Sequence, residues 1–141
     1  RRLQRARAYD RLLANASERV IRPHTPGWSR PVYHLYVVRV ADRNRVQQEL
    51  TASGIGTGIH YPIPLHLSKA HGGLLFRLGD FPIAERAARE ILSLPMFPGL
   101  TLDSQRRVSA ELVRAVSHTD DGQSRILPNA GNPVRASNPA L

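Results

Sequence analysis

The sequence predicts an α/β fold, in which a short sheet of about three strands packs against helices. Three observations predict this class. Residues 31–40 form a β-branched and aromatic run typical of a strand. Apolar residues recur at helical spacing before and after that run, and Gly and Pro separate the segments. A chain of 141 residues is long enough for one core and too short for two ordinary domains.

The first segment, residues 1–17, is predicted to be an amphipathic entry helix. Tyr9 and Leu13 are four residues apart, so they share one helix face, and arginines lie between the apolar positions. The Pro- and Gly-containing stretch at 22–31 predicts a loop. We expect this loop to lead into a core that spans residues 31–116.

A strand, a helix and a second strand are predicted in the first part of that core. The first strand is residues 31–40. Asp42 stands where a helix N-cap is expected, and Gly54 stands where a helix is expected to end. Residues 55–60 alternate Ile and Thr with Gly and His, which predicts a second strand.

The C-terminal half is predicted to contain one short, broken helix and two longer helices. Residues 67–78 form the broken helix, because two glycines interrupt it. Pro82 suits the first turn of the next helix, whose buried stripe is expected to include Ile83. Residues 94–98 are predicted to be extended, and Thr101 is predicted to cap the last helix.

Arginine dominates the charge of this chain. Nineteen of the twenty Lys and Arg residues are Arg, and the formal net charge is +9. Residues 1–30 hold eight arginines and two acids, a pattern compatible with binding nucleic acid or an acidic partner. No aromatic stacking platform accompanies these arginines, so nucleic acid is not the expected partner. Two interpretations of the whole chain stay open beside any enzymatic one: a stand-alone basic interaction module, and a remnant of a truncated gene without catalysis.

The rest of the composition argues against a disulfide-stabilised protein and against a membrane protein. Cysteine is absent, which excludes disulfides and thiolate chemistry and fits a cytoplasmic protein. No apolar run reaches eighteen residues, so no membrane partner is expected. Residues 117–141 are rich in Asp, Asn, Ser, Gly and Pro and are predicted to be a disordered tail. The chain begins without Met, inside a predicted helix, so we expect a fragment or a processed piece.

The most distinctive stretch is residues 54–66. It places His60, Tyr61 and His66 within seven residues, beside two prolines and a glycine-rich approach. The prolines fix their own φ and push the preceding residues toward extended geometry, so the stretch is stiff. A stiff loop suits the presentation of these three side chains to a ligand. A rigid turn whose rings only pack is the alternative.

Metal binding, nucleophilic catalysis and phosphate binding have weaker support in the sequence. The six histidines include no His-Glu-x-x-His pattern, so no metal site is predicted. There is no Gly-x-Ser-x-Gly motif, and the glycines at 54–58 lack the lysine of a P-loop. Asp80, Glu85 and Glu90 are interpreted as helix-dipole complements and solvated charges. No catalytic residue is predicted.

Several segments together resemble the C-terminal small domain of the pyridoxal-phosphate-dependent sugar aminotransferases, the DegT/DnrJ/EryC1/StrS family. Their order and spacing match that family over roughly residues 1–116. The segments are Tyr-His-Leu-Tyr-Val-Val at 33–38, Gly-Ile-Gly-Thr at 54–57, His-Tyr-Pro-Ile-Pro-Leu-His at 60–66, Gly-Asp-Phe-Pro-Ile-Ala-Glu at 79–85 and Ile-Leu-Ser-Leu-Pro-Met-Phe-Pro at 91–98.

The resemblance implies a fold-type I transaminase that acts as a homodimer. Such an enzyme converts a nucleotide-linked keto-sugar to an amino-sugar, with an amino acid, usually glutamate, as donor. The resemblance also implies that His60, Tyr61 and His66 face the sugar nucleotide. It assigns no cofactor-binding residue within this chain, and it leaves open the sugar, the pathway and a dehydratase branch of the family.

In that family the large domain supplies the lysine that forms a Schiff base with pyridoxal phosphate. We expect that domain to be missing from these 141 residues. The one lysine of this chain, Lys69, does not match the family's catalytic-lysine motif. We therefore expect no covalent cofactor and no transaminase activity from this chain alone.

Overall fold

The computed structural model describes residues 1–118, as four α-helices and a three-stranded antiparallel sheet. The α/β class and the three-strand sheet predicted above are confirmed. Of the predicted disordered tail, residues 119–141 lie outside the described residues. The helices are α1 (Arg2–Leu12), α2 (Arg43–Ala52), α3 (Pro82–Glu90) and α4 (Leu102–Ser117); the strands are β1 (Val20–Ile21), β2 (Tyr36–Val40) and β3 (Ile91–Leu94); short 3-10 segments lie at Ala14–Ala16, Leu65–Leu67 and Lys69–Leu74.

The sheet has the order β1-β2-β3, so β2 lies in the centre and pairs with both neighbours. Alternate residues of β2 point into the core: Tyr36, Val38 and Val40 are fully buried. Tyr36 pairs with Leu94 and Val38 with Leu92, and all of these side chains belong to one apolar cluster. Helices α1, α2 and α4 contribute residues to the same cluster, and burial of this apolar surface is the main source of the fold's stability.

Helix α1 is held to the rest of the fold by long-range contacts. Tyr9 is fully buried, and its hydroxyl donates to the Pro95 carbonyl oxygen at 3.0 Å. The Gln105 side chain of α4 donates from Nε2 to the Arg5 carbonyl oxygen at 2.8 Å. The predicted entry helix over 1–17 is too long, because α1 ends at Leu12 and a 3-10 turn follows.

The two ends of α2 differ in how they satisfy their backbone groups. Asp42 occupies the N-cap position as predicted but makes no side-chain cap bond; it has a φ of 44°, and its carboxylate accepts from Arg45 Nε at 3.1 Å. Gly54 has a φ of 70°, which suits glycine, and the Ile55 N–H donates to the Leu50 carbonyl oxygen at 2.8 Å. Together with the bond from the Gly54 N–H to the Thr51 carbonyl oxygen at 2.9 Å, this forms a Schellman ending, so the prediction for Gly54 is confirmed.

The predicted strand at 55–60 is wrong. Only an isolated bridge forms there, between Gly58 and Ser93. The third strand is β3 instead, which takes the place beside β2. The apolar spacing of residues 91–92 continues the helical pattern of α3, and that continuity hides the start of a strand. Strand β1 has only two residues, too few for a recognisable period.

The helix starts of the C-terminal half follow the predicted turn chemistry. Pro82 is the first residue of α3, where its missing N–H costs no hydrogen bond. The Thr101 side chain caps α4 by accepting from the Ser104 N–H at 3.1 Å. The predicted buried stripe of α3 is partly wrong, because Ile83 is 74% exposed while Ala88 is buried. No helix among residues 1–118 is both long and apolar enough to cross a membrane.

Candidate functional site

The stretch that carries the predicted site residues is attached to the sheet by a bridge to β3. Gly58 and Ser93 exchange two backbone hydrogen bonds, at 3.1 and 2.7 Å. These bonds anchor the start of residues 58–66, which we call the site loop. Because Ser93 lies in a strand of the buried sheet, the site loop begins at a rigid point of the fold.

His60 is held directly above this anchor. Its Nδ1 lies 2.9 Å from the buried hydroxyl Oγ of Ser93. The ring packs so closely over Gly58 that a Cβ at position 58 would lie 2.6 Å from His60 Cε1. Since Nδ1 bonds to Ser93, the Nε2 atom is the one left to meet a ligand. If the Ser93 hydroxyl donates to Nδ1, Nε2 carries the proton and donates; in the opposite arrangement Nε2 accepts.

Tyr61 projects outward from the same loop. The peptide bond between His60 and Tyr61 is cis, and the two rings meet edge to face with centroids 5.7 Å apart. Tyr61 is 74% exposed, so its phenol is accessible on the surface of this chain. An exposed phenol beside an exposed imidazole can donate to and accept from hydroxyl or phosphate oxygens.

His66 ends the site loop in a different environment. Only 9% of its side chain is exposed, and its ring lies 4.7 Å from the ring of Phe81. Its Nε2 lies 3.0 Å from Glu85 Oε1 on α3. An ionised carboxylate can only accept, so His66 donates from Nε2. The structure therefore places His60 and Tyr61 together at the surface and His66 apart from them, in a buried contact.

Glu85 is the central residue of that buried contact. It is 5% exposed, and the same oxygen, Oε1, accepts from the Gly79 N–H at 2.8 Å and the Phe81 N–H at 3.3 Å. Burial acts to raise the pKa of the Glu85 carboxyl. The hydrogen bonds from Gly79, His66 and Phe81 outweigh burial, so the pKa lies below that of an ordinary glutamic acid.

Sequence reasoning missed this role of Glu85, which it interpreted as a solvated charge at a helix start. The interpretation fits Asp80 but is wrong for Glu90, which is the last residue of α3 and has a side chain only 16% exposed. Asp80 is exposed and accepts from the Arg77 N–H at 2.8 Å, and Glu90 pairs with Arg39. No spacing in the sequence relates Glu85 to His66, since nineteen residues separate them. The only available signal was their shared presence in the segments that carry the family resemblance.

A concave surface of about 940 Å³ lies apart from the site loop, between α1, β1 and the segment 22–33. Arg7, Arg22 and Arg30 line it, together with Asp10. We call it the basic concavity. It includes none of the three predicted site residues, so it is a separate feature. Within residues 1–118, no three His, Asp or Glu side chains are grouped closely enough to hold a metal ion.

Comparison with known proteins identifies relatives of this chain. The model of the DegT/DnrJ/EryC1/StrS aminotransferase family matches residues 1–113. The dTDP-3-amino-3,4,6-trideoxy-alpha-D-glucose transaminase of Streptomyces venezuelae is 45% identical over 78 residues, which is 55% of this chain and 21% of that enzyme. The chain spans between 21% and 32% of the lengths of the first three curated relatives that it matches.

Solved structures show the same relationship. Streptomyces venezuelae DesV, determined in complex with a ketimine intermediate, superposes with a TM-score of 0.79 at 37% identity, over 85% of this chain and 32% of DesV. The PLP form of Spr1654 from Streptococcus pneumoniae superposes with a TM-score of 0.61 at 26% identity, over 79% of this chain and 31% of that protein. The chain therefore belongs to the DegT/DnrJ/EryC1/StrS aminotransferase family.

Proposed function

We propose that this chain is the C-terminal part of a pyridoxal-phosphate-dependent nucleotide-sugar aminotransferase. That enzyme would transfer an amino group from an amino acid to a nucleotide-linked keto-sugar, and it would act as a homodimer. Residues 1–116 would form its small domain. The observation that carries the proposal is the family match over residues 1–113, together with similarity to sugar transaminases over only part of their length.

In this proposal the site loop forms part of the wall of the substrate cleft. Tyr61 and His60 offer accessible polar atoms on a loop anchored to β3, which suits hydrogen bonding to sugar hydroxyls or to phosphate oxygens. His66 belongs to the same substrate-binding set but contributes differently. Because its Nε2 is bonded to Glu85, we propose that it acts mainly by fixing the end of the loop.

The residues of this chain do not fit covalent attachment of pyridoxal phosphate. That cofactor acts as an electron sink for amino-group transfer when a lysine amine holds it in a protected site. The amine must also have a lowered pKa, which burial or a nearby cation provides. Lys69, the single lysine, is exposed on a 3-10 segment. We therefore propose that this chain has no transaminase activity by itself.

Binding of a nucleotide sugar to the 141-residue chain tests the role of the site loop. We expect dTDP-glucose to shift amide NMR signals of residues 58–66, and we expect His60→Gln and Tyr61→Phe to weaken those shifts. His24→Gln is the matched control, because His24 is also an exposed histidine but lines the basic concavity. Shifts that are absent from the site loop, or equal in all three variants, would contradict this part of the proposal.

The mass of the native polypeptide tests the proposed context. Antibody capture from the source cell followed by intact mass measurement should give a polypeptide several times heavier than 15.7 kDa. A native mass of 15.7 kDa would refute the proposal that these residues are part of a complete aminotransferase. Incubating the chain with pyridoxal phosphate, glutamate and a nucleotide-linked keto-sugar should give no amino-sugar.

A second candidate function, an anion-binding interaction module, is favoured by the basic concavity. Three arginines line it, which suits phosphate groups of a nucleic acid or another acidic partner. Trp28, the single tryptophan, is 87% exposed on segment 22–33 and would report such binding by its fluorescence. Salt-dependent DNA binding that Arg30→Ala weakens would favour this function over the first.

A further inference from the structure

We propose that Glu85 is a positioning residue for the site loop, and that its carboxylate works as a clasp across residues 67–79, bonding to His66 immediately before them and to Gly79 at their end. We call residues 67–79 the flap. This inference rests on the proposed role of the site loop in substrate binding. The contact between Glu85 and the flap can nevertheless be measured without any substrate.

The geometry of the clasp is unusual because one oxygen serves three donors. Glu85 Oε1 accepts from His66 Nε2 at 3.0 Å, immediately before the flap, and from the Gly79 N–H at 2.8 Å, at its end. The third donor, the Phe81 N–H at 3.3 Å, belongs to the residue that precedes α3. The carboxylate therefore joins the site loop, the end of the flap and the start of α3 at a single buried point.

The flap itself has little regular structure to hold it in place. It consists of the 3-10 segment Lys69–Leu74, then Leu75 with a φ of 57°, and it ends at Gly79 with a φ of 99°. Leu75 is 86% exposed and Leu78 is 73% exposed, so these apolar side chains add little burial within this chain. Local unfolding is easiest where buried apolar contacts are few.

An aromatic contact supports the same closed arrangement. The Phe81 ring lies 4.7 Å from the His66 ring and 5.2 Å from the Phe76 ring. Phe81 thus links the end of the site loop to the flap, while Glu85 bonds to His66 just before the flap and to Gly79 at its end. Charge-assisted hydrogen bonds are roughly twice as strong as neutral ones. Loss of the Glu85 charge is therefore expected to open the flap and release His66.

A property of the sequence makes this opening measurable. Lys69 is the only lysine of the chain and lies inside the flap, so endoproteinase Lys-C can cut the chain at one site only. A protease needs an extended stretch of chain, so the cleavage rate reports the population of the open flap when opening is fast. Exposure of Lys69 alone does not provide that extended stretch.

We expect Glu85→Gln to raise the rate of Lys-C cleavage about 10-fold and Glu85→Ala about 100-fold. The Gln variant keeps a neutral acceptor for the backbone donors, whereas the Ala variant removes every bond. Glu90→Gln is the matched control, because Glu90 lies on the same helix but pairs with Arg39 and Arg86. Its cleavage rate should stay within about threefold of the wild-type rate.

Two results would overturn the clasp. One is cleavage of both Glu85 variants within about twofold of wild type. The other is a parallel rise of hydrogen exchange in α4, which would show that the whole fold, not the flap, had opened. A positioning role also requires the His60 and Tyr61 ring NMR signals to shift in Glu85→Gln and to stay in place in Glu90→Gln.

The same samples separate this inference from the proposed function. If dTDP-glucose leaves the wild-type site loop unshifted while Glu85→Gln still accelerates cleavage, the substrate role fails and the clasp stands. If the nucleotide sugar shifts the site loop equally in wild type and Glu85→Gln, and cleavage is unchanged, the clasp fails and the substrate role stands.

Discussion

The packing of His60 over Gly58 makes a specific prediction for Gly58→Ala. A Cβ at position 58 would lie 2.6 Å from His60 Cε1 and 3.3 Å from Nδ1, where ordinary contact begins at 3.4 Å. The imidazole must therefore retreat by roughly 1 Å to regain van der Waals contact. That movement breaks the 2.9 Å hydrogen bond between His60 and Ser93.

The expected magnitude follows from three contributions. The lost hydrogen bond costs about 1 kcal/mol, and residual crowding costs about 1 kcal/mol more. Replacing Gly by Ala lowers the conformational entropy of the unfolded chain, which stabilises the folded state by about 0.5 kcal/mol. No positive φ opposes the substitution, since Gly58 is not among the glycines with left-handed geometry. We therefore expect Gly58→Ala to lower the free energy of unfolding by about 1.5 kcal/mol.

A double-mutant cycle with His60→Ala tests whether the clash with the His60 ring causes the destabilisation by Gly58→Ala. Without the ring, Gly58→Ala should be neutral or stabilising by about 0.5 kcal/mol, so the coupling free energy should be about 2 kcal/mol. Urea unfolding followed by circular dichroism measures all four variants. Gly56→Ala is the control, because a Cβ there meets nothing within 4 Å. Equal effects of Gly58→Ala in both backgrounds would refute the reasoning.

Three further predictions concern the core, a helix cap and the buried carboxyl. Leu112→Ala should cost about 2–5 kcal/mol in urea unfolding because Leu112 is fully buried, while Leu102→Ala, at a residue 41% exposed, should cost clearly less; similar costs would be inconsistent with the packing described. Thr101→Ala should cost about 0.5–2 kcal/mol through loss of the α4 cap, and Thr101→Ser should restore most of it in the same assay. Because the folded-state pKa of Glu85 is lowered, its stabilising contribution is full above the ordinary glutamic acid pKa and is lost as pH falls through the folded value. The stability difference between wild type and Glu85→Gln should therefore shrink on acidification, and a difference that grew would contradict this assignment.

Much of the fold could be predicted from local chemistry. Gly54, Pro82 and Thr101 mark helix boundaries through backbone geometry and capping, which act within a few residues and are visible in sequence. The central strand was also recognisable, although it begins at Tyr36 and not at residue 31. Each of these features depends on interactions among near neighbours.

The remaining features depend on contacts between distant residues. Strand β3 follows α3 directly, and only pairing with β2 decides where the helix ends. The isolated bridge at Gly58 likewise depends on Ser93, thirty-five positions away in the chain. Within the site loop, the sequence identified His60, Tyr61 and His66 as candidates but could not separate exposed from buried members. That separation follows from Ser93 and Glu85, which no local pattern connects to the histidines.

The side-by-side packing of α1 and α4 has a consequence for how this polypeptide is made. Tyr9 reaches Pro95, and Gln105 reaches Arg5 across a hundred positions of chain. A ribosome that has released only the earlier elements has produced a sheet whose apolar face is still partly uncovered. Closing such distant contacts is slow, because the entropy of the long loop is lost before the contacts form. Folding must therefore wait for translation of α4, and a chain stopped before Leu102 should be removed by cellular proteases.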